Sequence, residues 1–435
     1  MLLHRPRVLL ASLLLPALAA SLPARAEPVT VAARRVLDVA SGRLLADHVV
    51  RVEGDTIVAV EPRRPGETAT HELGDVTLLP GLIDCHTHLV GGEEQTPDED
   101  LRQSAARAAI EGVRNARVTL EAGFTTVRDL GSRDFADVAL RDAIAAGKVA
   151  GPRLLVAVKS LSSTGGHGDL NGLPFDLFVK RYSAVADGPD EIRKKVRENV
   201  KYGADWIKIL VTGGVMSAGT DPNMADYTEE EIRAAVEAAR AKGRDVAAHA
   251  HGTEGILRAA RAGVRSIEHS SMLDDDALAA IKQAGAFIVP NPYTNLFMIE
   301  RGAAGGFMPY QLEKGRRIYT LKMDSLRRAL KAGVQVAYGT DAGVQIHGVN
   351  GRQLALYVEA GMTPLQALQS ATLTAARLLR RETRLGQLAK GFAADVVAVP
   401  GDPLQDVRAV ERPVFVMKDG RVMKDDRAGL APRRP

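Results

Sequence analysis

The sequence predicts an α/β protein: a (β/α)8 TIM barrel carrying a small β-sandwich built from both chain ends. Three observations lead there. Short apolar runs alternate with amphipathic helical stretches from Leu78 to Asp341, the pattern of parallel strands joined by crossover helices. The flanking segments are instead strand-rich and punctuated by turn residues. Five of the apolar runs also stop on metal-ligand side chains, and a parallel barrel presents its functional residues at the C-terminal ends of its strands.

Residues 1–26 are expected to be an export signal. Arg5 and Arg7 form a basic start, Val8 to Leu22 an apolar stretch, and Ala24-Arg25-Ala26 a small-x-small cleavage site. The apolar stretch is short for a spanning helix, no cysteine for lipid attachment lies near the junction, and no later run is long enough to span a bilayer. A soluble protein, periplasmic or secreted and without a membrane partner after cleavage, is the expectation. Residues 27–79 form the first part of the sandwich, with strands at Val29–Ala32, Val49–Val52 and Thr56–Val60 and turns at Gly42-Arg43 and Gly54-Asp55.

The barrel is expected over residues 80–385. Its first strand ends on His86-Thr87-His88. A helix over Leu101–Ala122 precedes the strand Phe124–Asp129, and a helix closed by Gly147 precedes Arg153–Val158. The amphipathic helix Asp190–Tyr202 leads into Trp206–Leu210. Thr228 with Glu231 forms a capping box opening the next helix, which feeds Val246–His249. Helices at Thr253–Ala262, Asp274–Ala284 and Met323–Ala332 feed Ser266–His269, Ala286–Pro290 and Val336–Asp341, making eight strands in series. Residues 386–425 complete the sandwich through Ala394–Val399 and Pro413–Met417, with a hairpin turn at Lys418–Arg421. Residues 426–435, rich in arginine, are expected to be a disordered tail.

Composition narrows the function. The chain of 435 residues is 46% hydrophobic and 25% charged, ordinary for a globular protein. Its net charge of +4 is slight, and aromatics are 4%. A nucleic-acid partner, which needs a basic face with stacking aromatics, is not indicated. Cys85 is the only cysteine, so no intrachain disulfide forms, and a small buried apolar role is expected for it.

His86 and His88, two apart on one strand, face the same side. His249, His269 and Asp341 end later strands. Lys208 lies inside an otherwise apolar run. An ammonium has no lone pair, but the neutral amine reacts with carbon dioxide to give a carbamate, whose two oxygens can bridge two metals. Two cations with four neutral histidines need more anionic ligands than Asp341 alone. The expected cofactors are therefore two divalent ions, zinc by default, with N6-carboxylated Lys208 as the bridge. His251 competes with His249 as a ligand; His249 is favoured because it ends the apolar run. Such a centre polarises a carbonyl and lowers the pKa of bound water, and Asp341, with Lys208 in the catalytic set, moves the proton. Loops after the strands place His167, Tyr227, His251 and His347 as substrate-binding candidates. Arg128 and Asp129 are expected to pair beneath the site, and residues 291–307 to line an apolar pocket or to pack in the core.

These residues resemble the amidohydrolase superfamily in its binuclear, carboxylated-lysine branch. The resemblance rests on Pro80-Gly81-Leu82-Ile83-Asp84-Cys85-His86-Thr87-His88, the Lys208 strand, His249-Ala250-His251-Gly252, Ile267-Glu268-His269 and Gly339-Thr340-Asp341-Ala342-Gly343. It covers essentially all of the chain after the signal, through Ala393-Ala394-Asp395-Val396-Val397. Thr164-Gly165-Gly166-His167-Gly168 and the loop from Asp341 to Gly348 are similar to the subgroup of Xaa-Pro dipeptidases, carboxypeptidase-like dipeptidases and ochratoxin-degrading amidohydrolases. The resemblance implies hydrolysis of an amide, in a dipeptide or small N-acyl amino acid, whose leaving group is a C-terminal amino acid. It also implies a homo-oligomer. The residues leave open a lactonase, a one-metal cyclic-amide hydrolase or deaminase on the same barrel, and a non-catalytic periplasmic metal- or ligand-binding protein.

Overall fold

The computed structural model describes residues 29–91, 102–174, 176 and 183–426. The expected signal and nearly all of the expected tail lie outside them. Seven barrel strands run in chain order as Leu82–Thr87, Phe124–Asp129, Arg153–Val156, Trp206–Leu210, Asp245–Ala250, Ser266–His269 and Phe287–Val289. Neighbours pair in parallel, and the third joins the fourth where Asp205 N donates to Val156 O at 2.8 Å.

Residues 336–341 close the barrel as an extended segment rather than a regular strand. Val336 bridges to Ile288 in parallel. On the other side Cys85 N donates to Tyr338 O at 2.9 Å and Asp341 N to His86 O at 2.6 Å. Gly339 makes this approach possible: a Cβ there would stand 2.3 Å from Val289 Cγ1 and 3.0 Å from the His86 backbone nitrogen. Buried Asp84 ties the seam, accepting from Thr340 N at 3.0 Å, Thr340 Oγ1 at 2.6 Å and Asn350 Nδ2 at 2.9 Å.

The helices form where their caps predict. Thr228 and Glu231 cap Glu229–Arg240 reciprocally, and Gly263 and Gly285 close two helices at positive φ. Two elements are longer or newer than the sequence shows. Pro309–Ala332 is one helix of 24 residues, of which only the last turns are legible because Gly315 and a charged stretch interrupt the apolar period. Pro292–Arg301 is also helical, started by proline in its first turn. Short strands at Leu161–Ser162 and Ala184–Val185 pair beside the Lys208 strand.

The run Leu78 to His88 is two strands. Val76–Pro80 belongs to the small domain and pairs antiparallel with Val396–Pro400; Leu82–Thr87 belongs to the barrel. Both chain ends therefore share one six-stranded sheet, which packs with a four-stranded sheet over Val31, Val50, Ile57, Leu78, Val396 and Phe415.

Arg128 is fully buried inside the barrel, and its partner corrects the sequence expectation. Its Nη2 lies 2.9 Å from Glu268 Oε1, its Nε donates to Cys85 O at 2.6 Å, and its guanidinium stacks 4.5 Å from the Trp206 ring centroid. Asp129 instead accepts from Leu89 N at 2.6 Å. Adjacent strand residues point to opposite faces, so the two cannot pair. Cys85 is buried, and desolvation pushes its thiol well above the usual range.

Candidate metal centre

The strand ends bring His86, His88, His249, His269 and Asp341 to one cavity of about 320 Å³, into which Lys208 reaches from the middle of its strand. His86 Nε2 stands 3.3 Å from both Lys208 Nζ and Asp341 Oδ1, and His88 Nε2 stands 3.2 Å from the same carboxylate oxygen. The ring centroids of His249 and His269 are 4.3 Å apart, and those of His86 and His269 are 5.2 Å apart. Two overlapping groups have ligand atoms all within 4.8 Å of one another: His249, His251 and His269, and His86, His269 and Asp341. Imidazole nitrogens with one carboxylate suit zinc-like divalent cations.

Backbone conformation at the strand ends is unusual. His269 and Asp341 adopt φ of 71° and 61°, a left-handed conformation that side-chain-bearing residues occupy at a cost of roughly 1 kcal/mol or more. Strain of this kind persists where the surroundings over-determine a functional geometry. The seam holds Asp341 through its backbone bond to His86.

Burial sets the protonation states. Desolvation holds His86, His249, His251 and His269 well below the ordinary histidine range, leaving each imidazole neutral with a lone pair for a cation. Burial raises the Asp341 carboxyl, but His86, His88 and Lys208 outweigh it and keep the group ionised. Desolvation also brings the Lys208 ammonium down to about 8, against the opposing fields of Glu268 and Asp341. A lysine in that range keeps a substantial neutral fraction near neutral pH. The donor set fits a cation pair: neutral imidazoles, an ionised carboxylate and a lysine on the verge of losing its proton.

Glu268, which the sequence analysis leaves without a role, supports the centre. Its Oε2 stands 3.0 Å from His86 Nδ1, close but not aligned as a straight hydrogen bond, and Oε1 meets Arg128. His269 Nδ1 lies 2.9 Å from Asn291 Oδ1, which leaves its Nε2 free to ligate a cation.

The substrate-binding candidates separate. His167 and His251 line the cavity. His167 Nδ1 lies 2.8 Å from Ser217 Oγ, in space left by Gly214, where a Cβ would meet the ring at 2.2 Å. His251 shares a cluster of ligand-type atoms with His249 and His269, so it could hold a cation together with them. Tyr227 is corrected. It is fully buried in the main core cluster, donates its hydroxyl to Ala186 O at 2.8 Å, and is absent from the cavity wall. His347 is corrected likewise: its Nε2 lies 3.2 Å from His88 O and its Nδ1 3.3 Å from Thr119 Oγ1. It buttresses the His88 backbone from outside the cavity. Of residues 291–307, Thr294, Asn295 and Met298 line the cavity, while Tyr293, Phe297 and Phe307 pack together behind it.

A (β/α)8 barrel with a small β domain, carrying four strand-end histidines, a buried lysine and an aspartate, defines a class of metal-dependent hydrolase. The chain belongs to the amidohydrolase family, whose model matches residues 77–423, and it is a hydrolase enzyme. Ochratoxinase of Aspergillus niger is 32% identical over 404 residues, covering 88% of this chain and 82% of that protein. A Xaa-Pro dipeptidase structure with bound methionine in its active site superposes with a TM-score of 0.86 at 36% identity, covering 91% of this chain and 99% of that one. A prolidase complexed with N-methylphosphonate-L-proline gives 0.85 at 33% identity, covering 92% of this chain and 100% of that one.

Proposed function

We propose that this protein is an exported, two-metal amidohydrolase that cleaves the amide of a dipeptide or N-acyl amino acid with an apolar or aromatic acyl group, releasing the C-terminal amino acid. The observation that carries it is the convergence of six ligand-type side chains on one cavity that also has apolar walls, among them Leu130, Leu210, Val215, Met216 and Met298. The names of the similar proteins support the substrate class: a Xaa-Pro dipeptidase with an amino acid in its active site, a prolidase with a proline phosphonate, and an ochratoxinase.

His86, His88, Lys208, His249, His269 and Asp341 would hold the ions, zinc by default. When bound, such ions polarise the scissile carbonyl and acidify water. Lys208 acts as a ligand after its neutral amine adds to carbon dioxide: an N–C bond forms, one proton leaves, and a carbamate results. Asp341, ionised beside His86 and His88, accepts the proton of the attacking water and delivers it to the leaving amine nitrogen. His167 lines the mouth as a donor to the substrate. The apolar walls would take the acyl side chain.

The test is hydrolysis of a panel of N-acyl amino acids and dipeptides by metal-loaded protein, with Lys208→Ala alongside. Free C-terminal amino acid is expected from the wild type and not from the variant. A panel without release, at two metals per chain, rejects this substrate class. Fractionation of an expressing cell tests the export, with the periplasm or medium as the expected location.

A further inference from the structure

Lys322 stands outside the ligand set, within the Pro309–Ala332 helix. It is 2% exposed yet lines the cavity. Its ammonium donates to Asn291 Oδ1 and Asn295 Oδ1, each at 2.7 Å, and to Asn291 O at 3.3 Å. All three acceptors are neutral. Among the described residues no carboxylate lies within ion-pair distance of it, and the acidic group that favours its charge is Asp341, already engaged by His86 and His88. A buried cation normally has a counter-charge, because desolvation without one is expensive. Burial accordingly lowers this lysine to about 7, and an anion beside it would restore its proton.

Position matters as much as charge. In a substrate releasing a C-terminal amino acid, one carbon separates the scissile nitrogen from the α-carboxylate. The carboxylate's anchor must therefore stand next to the metal-binding histidines. Asn291 Oδ1 accepts from Lys322 at 2.7 Å and lies 2.9 Å from His269 Nδ1, so one amide separates Lys322 from a ligand.

We propose that Lys322 receives the α-carboxylate of the leaving amino acid, replacing its long contact to Asn291 O, and so selects substrates with a free C-terminal carboxylate. The inference rests on the amide-hydrolysis reading above and assigns that reaction's specificity.

The test compares an N-acyl-L-phenylalanine with its C-terminal carboxamide, as the ratio of kcat/KM for the two. Wild type should favour the carboxylate, and Lys322→Gln should shrink that ratio by roughly 10- to 100-fold, the worth of one charge-assisted hydrogen bond, chiefly through KM. Lys322→Arg should keep most of the preference. An unchanged ratio in Lys322→Gln, with both substrates slowed alike, overturns the proposal and leaves Lys322 as a prop for Asn291 and His269. If Lys322→Gln does not fold, Asn295→Asp places an internal carboxylate against the lysine and should collapse the same ratio; persistence of the ratio overturns the proposal. If wild type hydrolyses neither compound, the amide-hydrolysis reading has failed by itself. Calorimetric binding of N-acetyl-L-phenylalanine against its carboxamide then decides: carboxylate-selective binding lost in Lys322→Gln supports the anchor, and equal binding by wild type refutes it.

Discussion

Arg128→Met, Glu268→Gln and the double variant form a cycle that tests whether the barrel interior props the metal centre by charge. Both side chains are completely buried, 2.9 Å apart. Methionine keeps much of the arginine stem over Trp206 but removes donors to Cys85 O at 2.6 Å, Ser266 Oγ at 3.1 Å and Glu268. It leaves the Glu268 carboxylate buried, with Ser266 and His86 in contact and Lys208 as the nearby cation. Stranding one partner of a buried pair costs about 3–5 kcal/mol, and Glu268→Gln should cost a similar amount by stranding Arg128. Because the second change removes the charge stranded by the first, the double variant should cost less than the sum by about 1–3 kcal/mol. Trp206 is the only tryptophan and stacks on Arg128, so its fluorescence during urea unfolding of metal-free protein reads the affected region. Metal content should fall in Glu268→Gln, since the acidic neighbour of His86 Nδ1 is lost. Additive variants, with coupling under about 0.5 kcal/mol, would refute the charge argument.

Metal-free protein should lose stability as pH falls from 7 to 5. His86, His249, His251 and His269 have folded pKa values depressed by burial. Their contribution is full above the unfolded value near 6.5 and shrinks below it by up to about 1.4 kcal/mol per pH unit each. His88 opposes this: burial lowers its pKa but the Asp341 hydrogen bond raises it further, so it stabilises more at low pH. His167 and His347, held at about 4 by burial, add to the loss. Asp84 and Asp129, raised by burial to about 6, and Asp137, raised to about 7, join His88 against it. A melting temperature flat over that interval would contradict the excess of depressed histidines. Asp341→Asn should lower kcat by about 10²–10⁴-fold in protein shown to retain metal; a loss under tenfold would assign the proton transfer elsewhere. Gly339→Ala should destabilise by about 1–3 kcal/mol and reduce metal content, because its Cβ meets the His86 backbone; wild-type metal content would show that the seam yields without moving His86.

Local chemistry was legible in the chain itself. Strand ends carrying His86, His88, His249, His269 and Asp341 stand out because an apolar run stopping on a ligand-type residue is a local signal, as are Lys208 inside an apolar run and the Thr228–Glu231 capping box. Alternation of strand and helix sufficed for the barrel. What the sequence could not show depends on neighbours far along the chain. Tyr227 and His347 have polar side chains in loops, yet Tyr227 points into the core and His347 props a backbone. Lys322 reads as one more cation in a charged helix until the fold buries it beside Asn291 and Asn295. Arg128 finds Glu268 across the barrel instead of adjacent Asp129. The chain's own periodicity determines which elements form and which residues end them. Only barrel closure, which brings residues 336–341 against His86, decides which side chains share the cavity, because that choice is made by packing between segments hundreds of residues apart.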